Sequence, residues 1–242
     1  MIEQRIARLR AFLQEHDADG VIIVQPENLR YFSAFTGGEG ALVIGLDQAV
    51  LWTDSRYTEQ AANQSGAWYD IKNHHNALSA SIRSSLNDME IGVAAYEENF
   101  LTHFMYENIS DGALCGFLPC DLTSLRAVKE PYALQATRTA SNIADRACAD
   151  LLPYIKPGVT EKELAARLES NMLLLGSEEK SFTTIVASGK RSAMPHGTAS
   201  PKVVEAGDFV TCDFGAVWAG YHSDIPRTVV VGKASPAQKD FY

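Results

Sequence analysis

Two strand-forming segments meet at a small turn near the end of the chain, and this pattern constrains the fold more than any other. Residues 208–217 (DFVTCDFGAV) and 221–231 (YHSDIPRTVVV) are rich in β-branched and aromatic residues. The three residues between them, Trp218-Ala219-Gly220, are small enough in number for a tight turn. The sequence therefore predicts a β-hairpin.

The predicted hairpin carries two aspartates, Asp213 and Asp224, one on each strand. If Val217 and Gly220 flank a two-residue turn, the aspartates lie directly opposite each other with Cβ atoms about 5 Å apart. Like charges so placed destabilise a sheet, whereas two divalent ions roughly 3.5–4 Å apart use such carboxylates as ligands and bridges. A register shifted by two residues separates the acids and leaves two solvated strand residues. Spacing alone leaves these interpretations evenly balanced.

The composition is that of a globular chain long enough for two domains, with 242 residues of which 46% are hydrophobic. The net charge is −9 without a Lys/Arg block, so we predict no nucleic-acid partner. The N-terminus is amphipathic rather than signal-like, and no stretch approaches the roughly 18 apolar residues of a membrane span. We therefore predict cytoplasmic residence and no membrane partner.

The four cysteines, Cys115, Cys120, Cys148 and Cys212, lie in apolar surroundings without CxxC spacing. Zinc-finger and redox functions are therefore poorly supported. We predict buried free thiols, as expected in a reducing compartment.

The first 120 residues alternate apolar strands with helical segments. Strands are predicted at 21–24, 41–45, 49–53 and 91–94. Helical spacing of apolar residues predicts helices near 2–13, 78–86 and 100–109, and a further helix is predicted from Ser55 onwards. Alternation of this kind indicates an α/β domain, residues 1–120, with a largely covered sheet.

The pattern changes from residue 121 onwards. A long helix is predicted over about 132–154, and Thr160 with Glu163 forms a capping box before a helix that ends at Gly176. A strand at 183–187 then precedes the hairpin, so residues 121–242 form an α+β domain. Residues 235–242 begin a helix of about one turn, which is too short to be stable alone. We therefore expect the sequence to be cut inside a longer fold.

A histidine stands in a loop upstream of Asp213. His196 lies between Pro195 and Gly197, and an imidazole in such a loop suits proton transfer or contact with a substrate oxyanion. A single histidine of this kind is more often a plain surface residue. His222, close to Asp224, is left without a role.

Several segments together, in order and spacing, closely resemble the proline-specific metallopeptidases of the creatinase/prolidase superfamily. They are 31–38 (YFSAFTGG), 51–57 (LWTDSRY), 125–129 (LRAVK), 181–189 (SFTTIVASG), 195–197 (PHG), 207–208 (GD), 213–216 (DFGA) and 221–228 (YHSDIPRT). The resemblance covers essentially the whole chain. It implies a ribonuclease H-like N-terminal domain of the creatinase/prolidase type, followed by the first part of an α+β pita-bread catalytic domain.

By position, the resemblance implies that Asp213 is the first ligand of a dinuclear metal site and Asp224 the second, bridging ligand. His196 would be the loop histidine that contacts substrate and helps to transfer protons. The implied cofactors are two divalent ions, with manganese favoured by hard oxygen ligands and cobalt or zinc as alternatives. The implied reaction is hydrolysis of the bond before proline in Xaa-Pro peptides by a metal-activated hydroxide. Aminopeptidase and dipeptidase both remain open, and the implied assembly is a homodimer.

The chain departs from the family in two ways. The family completes its site with a His and two Glu residues further along, and this sequence ends at Tyr242 before them. We therefore expect the 242-residue chain to bind divalent metal weakly and to lack peptidase activity. Pro226 stands where the family usually has Thr, which removes a ladder N–H and a hydroxyl that would support the second ligand. We expect this to alter or abolish the parent protein's activity.

Other functions remain alongside the metallopeptidase. A metal-independent creatinase-like hydrolase shares the fold, but both aspartates in the metal positions argue against it. Methionine aminopeptidases share the second domain but lack a domain like residues 1–120. A non-catalytic peptide- or protein-binding protein of the same fold is the alternative from another class. A soluble α/β protein with two chance aspartates is disfavoured by the number of co-spaced motifs.

Overall fold

The computed structural model describes residues 1–241, which divide into two compact units. The first is Met1–Val128 and the second begins at Lys129. This division lies later than the boundary predicted after residue 120. Cys120 and Leu122 are buried in the core of the first unit, and Leu125 packs against it, so the segment following the last strand stays with that unit.

The strands of the first unit form one six-stranded sheet. They are β1 Gly20–Ile23, β2 Ala41–Gly45, β3 Ala49–Thr53, β4 Asp70–Asn73, β5 Val93–Glu97 and β6 Gly116–Cys120. The order is β4-β3-β2-β1-β5-β6, antiparallel for β1/β2 and β2/β3 and parallel for the other pairs. The sequence did not predict the edge strands β4 and β6, because their residues (DIKN and GFLPC) are polar or contain proline.

Helices cover both faces of this sheet. They are α1 Ile2–Glu15, α2 Pro26–Ser33, α3 Thr58–Ser65, α4 Leu78–Asp88, α5 His103–Ser110 and α6 Thr123–Ala127. Alternate residues of β1 enter different cores, since Val21 and Ile23 pack with α1, α2 and α3 while Ile22 packs with α4 and α5. Burial on both faces explains the uninterrupted apolar runs of the central strands.

The second unit combines two long helices with a small antiparallel sheet. Its elements are α7 Pro131–Leu151, α8 Glu161–Leu174, β7 Ile185–Ser188, β8 Phe209–Phe214, β9 Val217–Trp218, β10 Tyr221–His222, β11 Ile225–Val230 and α9 Pro236–Phe241. The three-stranded sheet has the order β11-β8-β7, and β9 and β10 form a separate two-stranded ribbon. The predicted capping box is present, because the Thr160 side chain accepts from the Glu163 N–H and the Glu163 carboxylate accepts from the Thr160 N–H at 2.7 Å.

Strand β8 is buried on one side only. Val210, Cys212 and Phe214 lie in the core that includes α7 and α8. Thr211 and Asp213, on the other side of the strand, are partly exposed. The sheet therefore has one open, polar face, and that face carries the first predicted metal ligand.

The cysteines are free thiols, as predicted, and three of the four are buried, Cys115 being half-buried. Within residues 1–241, no helix is both long enough and apolar enough to cross a membrane.

Candidate metal-binding site

The hairpin turn lies one residue later than predicted. Ala219 and Gly220 have φ angles of 52° and 74°. A two-residue turn with both φ angles positive is the type I′ turn, whose twist matches that of the flanking strands. Trp218 accordingly pairs with Tyr221 across the turn. The predicted register, with Val217 and Gly220 flanking the turn, is wrong.

The observed register places Asp213 opposite Pro226 rather than opposite Asp224. The two acids nevertheless remain neighbours, because a residue two positions from the opposed one is a diagonal neighbour on the same face. Burial raises the pKa of Asp213, and the charge of Asp224 raises it further. The carboxylates therefore interact electrostatically, so they are not the independent solvated residues that a shifted register was expected to leave.

The regular β-ladder is interrupted between Asp213 and Asp224. The Ser223 N–H donates to the Ala216 carbonyl at 2.9 Å, and the Ala216 N–H donates to Ser223 Oγ at 3.0 Å. A Cβ on Gly215 would lie 1.8 Å from the Ser223 carbonyl oxygen, so only glycine fits there. Neither Gly215 nor Ser223 was predicted to have a role. The available signal was a glycine inside a strand pattern, which often marks close backbone approach.

Asp213 has the chemistry of a metal ligand. Its Oδ1 is buried and has no hydrogen-bond partner among the described residues, an unfavourable state for a carboxylate oxygen that no cation satisfies. Asp224 is exposed and supplies further oxygen donors nearby. Oxygen donors suit hard divalent ions such as manganese. In the part of the chain that the structure describes, no group of three or more His, Cys, Asp or Glu residues forms a metal-binding cluster.

His196 lies in an exposed turn of a loop that is attached to the same sheet. After β7 the chain makes a 3₁₀ turn over Gly189–Ala193 and returns so that Thr198 bridges Ile185. Ile185 pairs in turn with Asp213. The loop is thus attached to the edge strand β7 of the sheet that carries Asp213. The role of the exposed His196 imidazole stays a prediction.

His222 contacts Ser181, a residue distant from it in the sequence. Its Nδ1 lies 3.0 Å from Ser181 Oγ, and the Ser181 N–H donates to the Gly215 carbonyl at 2.8 Å. The pair therefore borders the ladder break between the two aspartates. Ser181 and His222 are 41 positions apart, and no local pattern links residues at that distance.

Two protein families match this chain and together cover nearly all of it. Residues 5–128 match the Creatinase/Prolidase N-terminal domain, and residues 135–242 match Metallopeptidase family M24.

Individual relatives agree with these matches. The uncharacterized peptidase YqhT of Bacillus subtilis is 38% identical over 242 residues, which are 98% of this chain and 68% of that protein. The structure of an Xaa-Pro dipeptidase from Bacillus anthracis has a TM-score of 0.94 and 37% identity, over 99% of this chain and 68% of that chain. The structure of an X-Pro aminopeptidase from Thermotoga maritima has a TM-score of 0.86 and 34% identity, over 97% of this chain and 67% of that chain.

Proposed function

We propose that this chain, which belongs to Metallopeptidase family M24 and carries a Creatinase/Prolidase N-terminal domain, contributes Asp213, Asp224 and His196 to a site for the Xaa-Pro bond at the N-terminus of peptides. Two similar structures bear the names Xaa-Pro dipeptidase and X-Pro aminopeptidase, which supports proline specificity and leaves both modes of cleavage open. The observation that carries the proposal is the Asp213–Asp224 pair, in which a buried oxygen of Asp213, on the open face of β8, has no hydrogen-bond partner within residues 1–241.

In this proposal Asp213 and Asp224 hold divalent ions, with manganese favoured and cobalt or zinc as alternatives. Such ions, when bound, polarise a peptide carbonyl and lower the pKa of a water molecule. The two carboxylates would hold the ions. The positive charge of a bound ion would lower the raised pKa of Asp213. His196 contacts the peptide and moves a proton through its imidazole. A homodimer and cytoplasmic residence stay predictions.

Two carboxylates form a weak chelate, so we propose that the 242-residue chain binds divalent ions weakly and does not hydrolyse Xaa-Pro peptides. Titration of Mn²⁺ into the protein, with the free ion followed by electron paramagnetic resonance, tests the site. We expect Asp213→Asn to weaken binding at least about tenfold, since it removes a charged ligand. Asp145→Asn is the matched control, because this exposed aspartate pairs with Arg227 outside the site. Equal affinities of the two variants would refute the site.

Activity is tested separately from binding. The purified chain is incubated with Mn²⁺ and either an Xaa-Pro dipeptide or a longer peptide that begins Xaa-Pro, and products are identified by mass spectrometry. We expect no turnover of either peptide. Release of the N-terminal residue would overturn the proposal of an inactive chain, and the peptide that is cleaved would separate dipeptidase from aminopeptidase activity.

Pro226 is the specific observation that favours a second candidate, a non-catalytic peptide-binding protein of the same fold. It lies opposite Asp213 on β11, an edge strand, and it lacks a hydroxyl that could support the ligands. We expect Pro226→Thr to raise the affinity for Mn²⁺ if the site is a metal centre. Binding of an Xaa-Pro peptide in metal-free buffer, unchanged by Pro226→Thr, would favour the non-catalytic function instead.

A further inference from the structure

Glu161 is a fully buried carboxylate, 0% exposed, at the first position of α8. It accepts five hydrogen bonds. Oε1 accepts from the Ser188 N–H at 2.7 Å and the Ser188 hydroxyl at 3.0 Å. Oε2 accepts from the Ser200 N–H at 3.0 Å, the Ser200 hydroxyl at 2.6 Å and Arg191 Nε at 3.1 Å. Such a complete set of donors is what a buried carboxylate requires.

All these donors belong to one segment, residues 188–200, which we call the His196 loop. Ser188 opens the loop and Ser200 closes it, while Arg191 lies in its 3₁₀ turn. Because Oε1 binds the first residue of the loop and Oε2 binds the last, a single carboxylate joins both ends. Closing a flexible loop at its base removes much of its conformational freedom.

Arg191 extends this connection towards His196. Its Nη2 donates to the Thr198 carbonyl at 2.7 Å, and the Thr198 N–H donates to the His196 carbonyl at 2.9 Å. The series Glu161, Arg191, Thr198 and His196 is therefore continuous, and two of its steps involve a charged group.

The loop also packs closely on the sheet beside His196. A Cβ on Gly197 would lie 3.0 Å from the Ala187 Cβ, so the backbone after His196 rests directly on β7. Thr198 bridges Ile185 on the same strand. The Glu161 contacts at the base of the loop and this contact near its tip together restrict the position of the backbone at His196.

Glu161 is charged when it makes these contacts. Burial pushes its pKa upwards, but the hydrogen bonds from Ser200 and Ser188 outweigh burial and hold the pKa below its usual value. The carboxylate is therefore ionised at neutral pH, and its hydrogen bonds are of the stronger, charge-assisted kind.

We propose that Glu161 is a positioning residue, which holds the His196 loop at the sheet position where His196 serves the Asp213–Asp224 site. The inference rests on the proposed function and adds a residue to it. Glu161 touches none of the reacting groups and acts through the loop. Glu163, two residues further along α8, instead accepts from Thr160 in the capping box. It therefore serves as a matched control.

Amide hydrogen exchange of the 242-residue protein tests the hold on the loop. In Glu161→Gln an amide NH₂ replaces one oxygen and faces donors at one end of the loop. We expect exchange of residues 189–199 to accelerate at least about tenfold, since charged hydrogen bonds are lost. Glu163→Gln should accelerate only the first turn of α8. Equal exchange of the loop in both variants would overturn the proposal. If Glu161→Gln fails to fold, Ser200→Ala removes one donor and should show a smaller acceleration confined to the same loop.

Paramagnetic broadening by Mn²⁺ distinguishes positioning of His196 near the metal site from a general contribution of Glu161 to stability. In the wild-type protein we expect Mn²⁺ to broaden both the Phe214 amide signal, beside Asp213, and the His196 imidazole signals. In Glu161→Gln the Phe214 signal should still broaden while broadening at His196 falls. Undiminished broadening at His196 in this variant would overturn the proposal. Absence of broadening at Phe214 in the wild type would instead refute the metal site, and the exchange comparison then decides the role of Glu161 alone.

Discussion

The two units use their β-sheets in different ways. In the first unit the central strands β1 and β2 are buried along their whole length, between helices on both faces. In the second unit β8 alternates between buried and partly exposed residues, so Asp213 faces away from the helices. A carboxylate that must reach a cation and a substrate requires such an open face. The difference explains why the candidate site lies on the smaller sheet.

The two units also differ in the pKa of a buried glutamate. Glu97, 4% exposed, accepts from the Val24 N–H, the Gln25 N–H and the Asn28 side chain, yet burial still raises its pKa. Glu161 has five donors, and its pKa is lowered in spite of burial. The donors around a buried carboxylate, rather than burial alone, decide its preferred charge state.

The largest expected effect tests the covered sheet. Ile44 on β2 is 0% exposed, so Ile44→Ala should lower the free energy of unfolding by about 3–4 kcal/mol. Thr211→Ala, on the open face of β8, should lower it by less than about 1 kcal/mol. Urea unfolding followed by tryptophan fluorescence measures both, because Trp52 and Trp218 report on different units. Equal losses would remove the distinction between the two sheets.

The next effect concerns the ladder break. Gly215→Ala places a Cβ 1.8 Å from a backbone oxygen and should lower the free energy of unfolding by about 3 kcal/mol. Gly116→Ala in the first unit is the control, since its Cβ would meet nothing closer than 3.8 Å, and should change stability by less than about 1 kcal/mol. Chemical denaturation compares the two. A well-tolerated Gly215→Ala would show that the break relaxes easily.

The two glutamates should respond oppositely to pH. The lowered pKa of Glu161 means that its stabilisation is fully present above the ordinary glutamate pKa and is lost as pH falls through the folded value. Glu161→Gln should therefore cost about 2 kcal/mol at neutral pH and less in acid. The raised pKa of Glu97 means that its ionisation opposes folding at pH values above the folded pKa. As pH falls, the free energy of unfolding of the wild type should therefore rise relative to that of Glu97→Gln. Unfolding free energies measured from neutral to acidic pH check both slopes. Slopes of the same sign would contradict this account.

The smallest effect concerns the acids themselves. In metal-free buffer, Asp224→Asn removes a like charge beside Asp213 and should raise the free energy of unfolding by about 0.5 kcal/mol. With Mn²⁺ present the order should reverse, because the variant binds the ion less well. Thermal unfolding with and without Mn²⁺ measures this, with Asp145→Asn as the control. Destabilisation by Asp224→Asn in metal-free buffer would mean that the fold itself uses this carboxylate.

Much of the fold was predictable from the sequence. The family matches confirm the resemblance, and the structure confirms the α/β first unit, the α+β character of the second and the capping box at Thr160. These features follow from local periodicity and short motifs. The edge strands β4 and β6 were missed because their places depend on parallel neighbours distant in sequence rather than on their own residues.

The site was only half predictable. The sequence indicated the two aspartates, but the hairpin register depended on positive φ angles at Ala219 and Gly220. Three residues between the strands allow a two-residue turn at either 218–219 or 219–220, and spacing alone did not distinguish them. Glu161 carried no signal at all, since its donors lie 27 to 39 positions away.

The sequence by itself therefore determined the family, the α/β and α+β character of the two units and the two candidate acids, because periodicity and motif spacing are properties of the chain alone. Only the tertiary structure decided that Asp213 and Asp224 are diagonal neighbours and that one buried glutamate joins both ends of the His196 loop. Register, burial and the supply of hydrogen-bond donors depend on which distant residues fold into contact, and the physical state of each carboxylate follows from those contacts.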